Sequence, residues 1–344
     1  MIIESDTSIL LLSRLPLHGE FLRKTLETQY AVDWIGKDIR SMGLFSSLFV
    51  LFYELMRSIY FFRKKYYRII LVQFVSFDGF VALILRSFFK NKVVYYAIGS
   101  DILKMSGNPI LYPFLRFLLL RCDFVFCANT LIKNKLVTMG VECSKLEVIG
   151  SIVNFDDFRI SSTSKSVDIV TVGNLDANKN HISLIKACEH IGSLVKVSIV
   201  GDGPERSSLE QESVMRGVNV NFLGNIPHRL VFCELQKSKI YVHTAKSEGI
   251  PISFLEAIFC NLPLVVLDYP YISDLIDRFG FVFRIVEIDS SVKLAEAIKN
   301  VLNNYSSELG TAAANRRKLL SSISKNSLKF RERIDDLIAE TPKI

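Results

Sequence analysis

Two glutamates, eight positions apart, lie where the chain passes from a loop into a helix. Glu248 belongs to a loop that follows the apolar run Ile240–His243, and Glu256 belongs to a helical pattern that opens near Pro251. Proline is favoured at the first helical position, and eight residues make about two helical turns, so both carboxylates can face one side. Backbone amides at such a helix start favour phosphate. This arrangement suits a ligand with both hydroxyl groups and a diphosphate. The alternative is that Glu248 only favours the helix dipole and that Glu256 is a solvated helix residue.

Two glycine turns precede this segment. Gly173 follows a strand, and Lys179 stands at the start of the next helix, where a lysine can neutralise phosphate as a point charge. The alternative for Lys179 is an ordinary solvated surface residue. The second turn, 201–203, has the sequence Gly-Asp-Gly and lacks the GxGxxG spacing of a dinucleotide site. By itself it indicates only a turn.

The elements that must position these residues alternate between short apolar runs and helical patterns, which predicts parallel sheets covered by helices. Strands are predicted at Ile9–Leu12, Val32–Ile35, Ile69–Phe74, Val93–Tyr96, Phe124–Cys127, Ile169–Val172, Val197–Val200, Val220–Leu223, Ile240–His243 and Leu264–Leu267. The polar stretch Ile160–Ser166 is a predicted flexible linker. We therefore expect an N-terminal domain at 1–160, a second domain at 167–310 and a helical tail at 311–344.

The composition favours a globular protein, with 49% hydrophobic and 22% charged residues. The six cysteines form no CxxC pair and lie in apolar stretches, which indicates buried thiols in a reducing compartment. The acidic first residues and the short run Ile9–Leu12 do not resemble a signal peptide. We expect a cytoplasmic protein. A net charge of +7 could suggest nucleic acid, but no recognisable binding module accompanies it, so we expect no nucleic-acid partner.

The apolar segment Leu44–Phe62 raises the question of a membrane. Glu54 and Arg57 lie inside it, and each would cost about 2.5–3.5 kcal/mol at a bilayer centre, so a membrane span is disfavoured. Four basic residues follow directly: Arg63, Lys64, Lys65 and Arg68. A helix of this kind suits a surface that touches anionic lipid. The alternative is a core helix with a solvated charged end.

Taken in order, these segments resemble family 4 of the retaining glycosyltransferases, which have the GT-B fold. The matching features are Gly173 with Leu175, Lys179-Asn180, the run 201–206, Phe222-Leu223-Gly224, Glu248-Gly249-x-Pro251 and Leu255-Glu256-Ala257. Order and spacing hold across residues 167–268, whereas in the first half only Gly99-Ser100-Asp101 contributes. The resemblance implies an α/β protein with two Rossmann-like, doubly wound domains that face a central cleft. The donor would bind in the C-terminal domain and the acceptor in the N-terminal one.

The resemblance also implies roles for single residues. Glu256 would bind the ribose hydroxyls of the donor, Glu248 would be the catalytic residue at the sugar, and Lys179 would hold the diphosphate. Other donor-binding positions would be Gly173, Asn174, Gly224, Ile226, Gly249, Ile250 and Pro251. Candidates on the acceptor or cleft side are His18, Gly19, Ser100 and Asp101, with His18 and Gly19 in an N-terminal glycine loop. Such enzymes use no essential metal or cofactor, and the chain has no DxD motif.

The predicted function is transfer of a hexose-type sugar from a nucleotide sugar to a lipid-linked saccharide, with retention of anomeric configuration. The basic, aromatic N-terminal half favours such an acceptor, as in surface polysaccharide or lipopolysaccharide assembly. The protein would then bind the inner face of the cytoplasmic membrane as a peripheral protein. Two departures from the family pattern are Asn174, where arginine is common, and Ile98, where histidine is common. They keep a non-catalytic partner subunit open as an alternative, beside a nucleotide-sugar epimerase and, least favoured, a nicotinamide dehydrogenase.

Overall fold

The computed structural model describes residues 8–13, 16–35, 44–73, 75, 77–161, 163–249, 251–288 and 290–341. The chain divides into two compact units. The first, here called the N-terminal domain, comprises Met1–Asn154 together with Ile323–Ile344. The second, the C-terminal domain, is Phe155–Ser322.

The described part of the N-terminal domain contains a six-stranded parallel sheet in the order β2-β1-β3-β4-β5-β6. Its strands are β1 Ser8–Ser13, β2 Ala31–Ile35, β3 Ile69–Gln73, β4 Lys92–Ala97, β5 Phe124–Cys127 and β6 Leu146–Val148. Its helices are α1 Pro16–Leu26, α2 Leu44–Lys64, α3 Phe77–Phe89, α4 Ser100–Ser106, α5 Leu111–Arg121 and α6 Thr130–Thr138. The central strands are continuous apolar runs because helices cover both faces of a parallel sheet. The last residue of the predicted strand Ile69–Phe74 lies outside the described residues.

The C-terminal domain repeats this plan, with the strand order β12-β11-β10-β7-β8-β9 in the part described. Its strands are β7 Val167–Val172, β8 Val197–Val200, β9 Val220–Gly224, β10 Ser238–His243, β11 Leu264–Leu267 and β12 Arg284–Val286. Its helices are α7 His181–Ile191, α8 Arg206–Met215, α9 His228–Gln236, α10 Ile252–Phe259, α11 Pro270–Phe279 and α12 Ser291–Asn303. The chain moves outward from β7 to β9, then returns to β10 on the other side of β7. The carboxyl ends of β7 and β10 therefore form the topological switch point, where ligands bind in open α/β sheets.

A final helix, α13 Tyr305–Ala339, belongs to both domains. Near its start, the Asn315 side chain bonds both the N–H and the carbonyl of Val282 in the C-terminal domain, at 2.9 and 2.6 Å. Farther on, Phe330, Ile334 and Leu337 are buried in the core of the N-terminal domain. The segment 311–344 is therefore not a separate tail, because its second half carries apolar residues at helical spacing that complete the first domain.

The predicted linker also differs from expectation. Ser161 donates two hydrogen bonds of 2.8 Å to the side-chain oxygen of Gln236, from its backbone N–H and from its hydroxyl. The side chains of Thr163 and Lys165 donate to the Gln236 carbonyl at 3.1 and 2.7 Å. These contacts fasten the segment to the end of α9, so it is part of the C-terminal domain and the domain boundary lies at 154–155.

Helix α2 extends two residues beyond the predicted Leu44–Phe62 segment. One face is exposed, with Tyr53, Met56 and Tyr60 at 51, 49 and 54% of full exposure. On the other face the Phe62 ring is buried and stacks on Phe89 of α3, with ring centroids 4.3 Å apart. None of the helices in the described part of the chain is long and apolar enough to cross a membrane.

The four basic residues after this segment do not form one exposed cluster. Arg63 and Lys64 are exposed, whereas Lys65 pairs with Asp33 at 3.2 Å. Arg68 is buried, and its guanidinium donates to the carbonyls of Ile338 and Thr341 at 3.3 and 3.2 Å. The expectation that all four could reach a membrane is wrong for Arg68, because its charge is used to bind the end of α13.

Candidate active site

The loops that leave β7 and β10 are joined by hydrogen bonds. The Asn178 side-chain amide donates to the Ser247 carbonyl at 2.9 Å, and the Lys246 N–H donates to the Asn178 carbonyl at 2.7 Å. The Thr244 hydroxyl donates to the carbonyl of Lys179 at 2.8 Å. The two segments that the sequence marks as donor-binding therefore form one surface at the switch point of the C-terminal sheet.

Glycines allow these loops to pack closely. A Cβ atom on Gly201 would lie 2.0 Å from the carbonyl oxygen of Gly173, and its φ of +131° also favours glycine. A Cβ on Gly203 would lie 2.4 Å from the carbonyl oxygen of Leu175. The Leu175 N–H donates to the Asp202 carbonyl at 3.0 Å. The Gly-Asp-Gly turn thus packs directly against the backbone of the loop after β7. This close backbone packing explains why both positions are glycine.

Lys179 and Glu248 form an ion pair in which the lysine Nζ donates to Oε1 of the glutamate. The two side chains are 18 and 15% exposed, so the pair is largely shielded from water. Gly173 leaves the space for this arrangement, since a Cβ there would lie 3.0 Å from Cδ of Lys179. A cation and a carboxylate are therefore held next to each other at the ends of β7 and β10.

Glu256 lies in α10 and is 2% exposed, so it is not the solvated helix residue of the alternative interpretation. Its Oε1 is 2.5 Å from Nε2 of His228, the first residue of α9. The imidazole meets the rings of Phe158 and Phe232 edge to face, with centroids 5.0 and 5.3 Å away. These rings hold the imidazole against the carboxylate. Sequence reasoning did not identify His228, although its position two residues after the predicted donor residue Ile226 was a signal.

Two buried histidines lie in the same domain. Burial, together with the charge of Lys179, lowers the pKa of His181 to about 4. Burial is also the main cause that lowers the pKa of His243, with contributions from Lys179 and His181. Both imidazoles are therefore neutral near pH 7 and add no positive charge behind the loops. Next to His243, the Tyr241 hydroxyl donates to the Ser253 hydroxyl of α10 at 3.0 Å, which ties β10 to that helix.

The remaining predicted donor residues lie around these loops. Asn174 is exposed beside the Lys179 loop, and Gly224 ends β9 with a φ of +66°. Ile226 is half-buried in the loop before α9. Gly249 and Pro251 are buried, and Pro251 is the N-cap of α10. Ile250 lies outside the described residues.

The predicted acceptor-side residues belong to the N-terminal domain. His18 and Gly19 lie in the first turns of α1, so the predicted glycine loop is helical. A Cβ on Gly19 would lie 2.7 Å from Oγ of Ser13 and 3.0 Å from the Trp34 ring, so glycine is required for close helix–sheet packing. Ser100 and Asp101 begin α4, after β4, and their side chains lie outside the described part.

Other potential ligands are scattered. Among the described residues, no group of three or more histidine, cysteine, aspartate or glutamate side chains could hold a metal ion. All six cysteines are free. Four are buried as predicted, whereas Cys143 and Cys233 are exposed.

Part of the chain that contains this site matches a known protein family. Residues 154–318 match the family described as glycosyl transferases group 1, and this range contains both glutamates and Lys179. The matched range covers just under half of the chain and includes the segments predicted to bind the donor. The resemblance inferred from the sequence is thereby confirmed at the level of a GT-B glycosyltransferase.

Two curated relatives each match about half of the chain. One is the GalNAc-alpha-(1->4)-GalNAc-alpha-(1->3)-diNAcBac-PP-undecaprenol alpha-1,4-N-acetyl-D-galactosaminyltransferase of Campylobacter jejuni, 28% identical over 172 residues. That match covers 48% of this chain and 46% of the relative. The other is the phosphatidylinositol N-acetylglucosaminyltransferase GPI3 subunit of Saccharomyces cerevisiae, 28% identical over 204 residues, or 55% of this chain and 45% of the relative. The chain thus spans less than half the length of these relatives.

Solved structures confirm the fold over almost the whole chain. Anabaena Alr3699/HepE, crystallised with UDP and glucose, matches with a TM-score of 0.75 and 15% identity, covering 96% of this chain and 100% of that one. Sucrose-phosphate synthase from Thermosynechococcus elongatus gives a TM-score of 0.81 at 15% identity, with 97 and 99% covered. The chain has the predicted GT-B fold, an α/β architecture of two domains built on parallel sheets.

Proposed function

We propose that this protein transfers a hexose-type sugar from a nucleotide-sugar donor to a lipid-linked saccharide, with retention of anomeric configuration. The observation that carries the proposal is the pairing of Lys179 with Glu248, beside the buried Glu256, at the switch point of a group 1 glycosyltransferase domain. One cation for a diphosphate and two carboxylates for hydroxyl groups are the groups that a nucleotide sugar requires.

In the proposed reaction the donor diphosphate leaves with negative charge. Lys179 and the backbone amides at the start of α10 stabilise that charge as the bond to the sugar breaks. Glu256 accepts hydrogen bonds from the ribose, and Glu248 accepts them from the transferred sugar near its reacting carbon. With retention, the acceptor attacks the face from which the diphosphate departs, and no protein nucleophile is needed. The reaction requires neither a resident metal nor a cofactor.

The lipid-linked acceptor is supported by the relatives. The name of the Campylobacter relative specifies a saccharide on undecaprenyl diphosphate, and that of the yeast relative specifies phosphatidylinositol. Both are acceptors held in a membrane. We therefore place the reaction in assembly of a surface polysaccharide or lipopolysaccharide, at the inner face of the cytoplasmic membrane.

Helix α2 supports attachment to that membrane. Tyr53, Met56 and Tyr60 offer an exposed apolar and aromatic stripe, and Arg63 and Lys64 continue it with positive charge. Each basic residue near an anionic leaflet contributes about 1 kcal/mol, so this pair supplies about 2 kcal/mol before any apolar insertion.

The first test is thermal unfolding in the presence of UDP, GDP, dTDP and CMP sugars. A bound donor at a hundredfold excess over its Kd stabilises the protein by about 2.7 kcal/mol. The donor that stabilises is then incubated with polyprenyl-linked saccharides extracted from membranes. Release of the nucleoside diphosphate with sugar on the lipid supports the proposal. An altered sugar still attached to its nucleotide identifies an epimerase, and binding without turnover identifies a non-catalytic subunit.

A further inference from the structure

A groove opens in the N-terminal domain between α3, α5 and the short 3-10 turn Cys143–Lys145. Its volume is about 620 Å³, which lies within the range of about 300–1,000 Å³ that is usual for small-molecule sites. Asp123, one of its lining residues, directly precedes β5, so the groove lies at the edge where the strands begin. The residues discussed for acceptor binding follow the strand ends, at the opposite edge.

Two helices contribute large apolar side chains to the walls of the groove, and these side chains are partly open to water. Phe80 and Leu83 of α3 face Phe117 and Leu120 of α5 as lining residues. Phe80, Phe117 and Leu120 are 43, 40 and 37% exposed. Large apolar side chains grouped in this way on a surface mark a binding site more often than isolated ones do.

The charged residues at the groove favour an anion. Three basic residues and one acidic residue line it, which leaves two positive charges. Arg86 pairs with Asp123 at 3.1 Å and also donates to the carbonyl of Arg121 at 2.6 Å, so the acidic group is neutralised. Neither Arg121 nor Lys145 has an ion pair within the described part of the chain. The Arg121 guanidinium lies over the Phe117 ring, 3.9 Å from its centroid, and so places its charge beside the apolar wall.

We propose that this groove binds one molecule of anionic phospholipid. An acyl chain lies along the walls formed by Phe80, Leu83, Phe117 and Leu120, and the phosphate is held by Arg121 and Lys145. An inorganic anion would leave the apolar walls exposed, and a neutral lipid would leave the two cations without a partner. The inference concerns the N-terminal domain and goes beyond the donor site and the proposed transfer.

The test uses the full chain and a short-chain phosphatidylglycerol kept below its micelle concentration, so that no membrane surface is present. Binding is followed by titration calorimetry and by native mass spectrometry. Leu83→Trp fills the groove without changing charge, and the double variant Arg121→Gln, Lys145→Gln removes the phosphate contacts without changing the walls. The matched control is Arg317→Gln, Lys325→Gln, which removes two exposed charges on α13, outside the groove.

The proposal expects one bound phosphatidylglycerol, a loss of affinity of at least about tenfold in each groove variant, and unchanged affinity in the α13 control. Phosphatidylcholine of the same chain length should bind at least about tenfold more weakly. Thermal unfolding of each variant shows that it is folded. Absence of binding by the folded wild type overturns the proposal. Wild-type affinity for phosphatidylglycerol in both groove variants also overturns it, as does wild-type binding of phosphatidylcholine with the same affinity as phosphatidylglycerol.

Discussion

Replacing Glu248 with glutamine should strengthen nucleotide binding while it damages transfer. In the structure Glu248 forms an ion pair with Lys179, the cation assigned to the donor diphosphate. A bound diphosphate must therefore displace or weaken that ion pair. Exposed pairs contribute about 0.2–1 kcal/mol, and breaking a buried pair costs about 3–5 kcal/mol. Because the side chains of Lys179 and Glu248 are 18 and 15% exposed, we take the free energy contributed by this ion pair as about 1 kcal/mol. Glu248→Gln should therefore bind UDP about fivefold more tightly than wild type.

Titration calorimetry with UDP measures this affinity, and donor turnover is measured separately. Turnover should fall at least about tenfold, because a hydrogen bond to a charged group contributes about 1.5–3 kcal/mol. Lys179→Met should weaken both UDP binding and turnover. Asp168→Asn serves as the matched control, because its pair with Lys239 (2.8 Å) lies at the starting ends of β7 and β10. Unchanged or weaker UDP binding by Glu248→Gln would refute the reasoning.

Four further predictions concern other residues. Glu256→Gln should weaken UDP binding by about 1–3 kcal/mol in calorimetry. His228→Ala should lower both UDP affinity and the melting temperature, because the substitution leaves the buried Glu256 carboxylate without its imidazole partner. Since burial lowers the pKa of His181 from 6.5 to about 4, the unfolded chain binds more protons between these values. Stability should therefore fall by about 2 kcal/mol as the pH decreases from about 7.5 to about 5, and denaturant unfolding of His181→Leu should show a smaller decrease. Replacing Arg63 and Lys64 with glutamine should reduce sedimentation with anionic vesicles at low salt and leave UDP binding unchanged.

The local sequence pattern was sufficient to predict the central strands and the order of the donor-binding loops along the chain. Strands such as β5 and β11 are uninterrupted apolar runs, so their existence follows from burial on both faces. The edge strand β12 was not predicted, because Arg284 and Ile285 are exposed and the segment has no apolar periodicity. Strand β6 is only three residues long and was missed for a similar reason.

Contacts between residues distant in sequence were beyond local reasoning. The partner of Glu256 comes from α9, and the neighbour of the Gly-Asp-Gly turn comes from the loop after β7. Nothing in the sequence near Arg68 indicates that its guanidinium binds the end of α13. These pairings depend on strand order, which places elements side by side irrespective of their separation along the chain.

Helix α13 also determines when the protein can fold during synthesis. Domains usually fold as units as the chain emerges, the N-terminal one first. Here the N-terminal domain lacks Phe330, Ile334 and Leu337 of its own core until α13 has left the ribosome. The C-terminal domain, complete at Ser322, is available to fold earlier. Newly made chains therefore carry an exposed apolar surface until α13 emerges, and loss of the second half of α13 damages the domain that is encoded first.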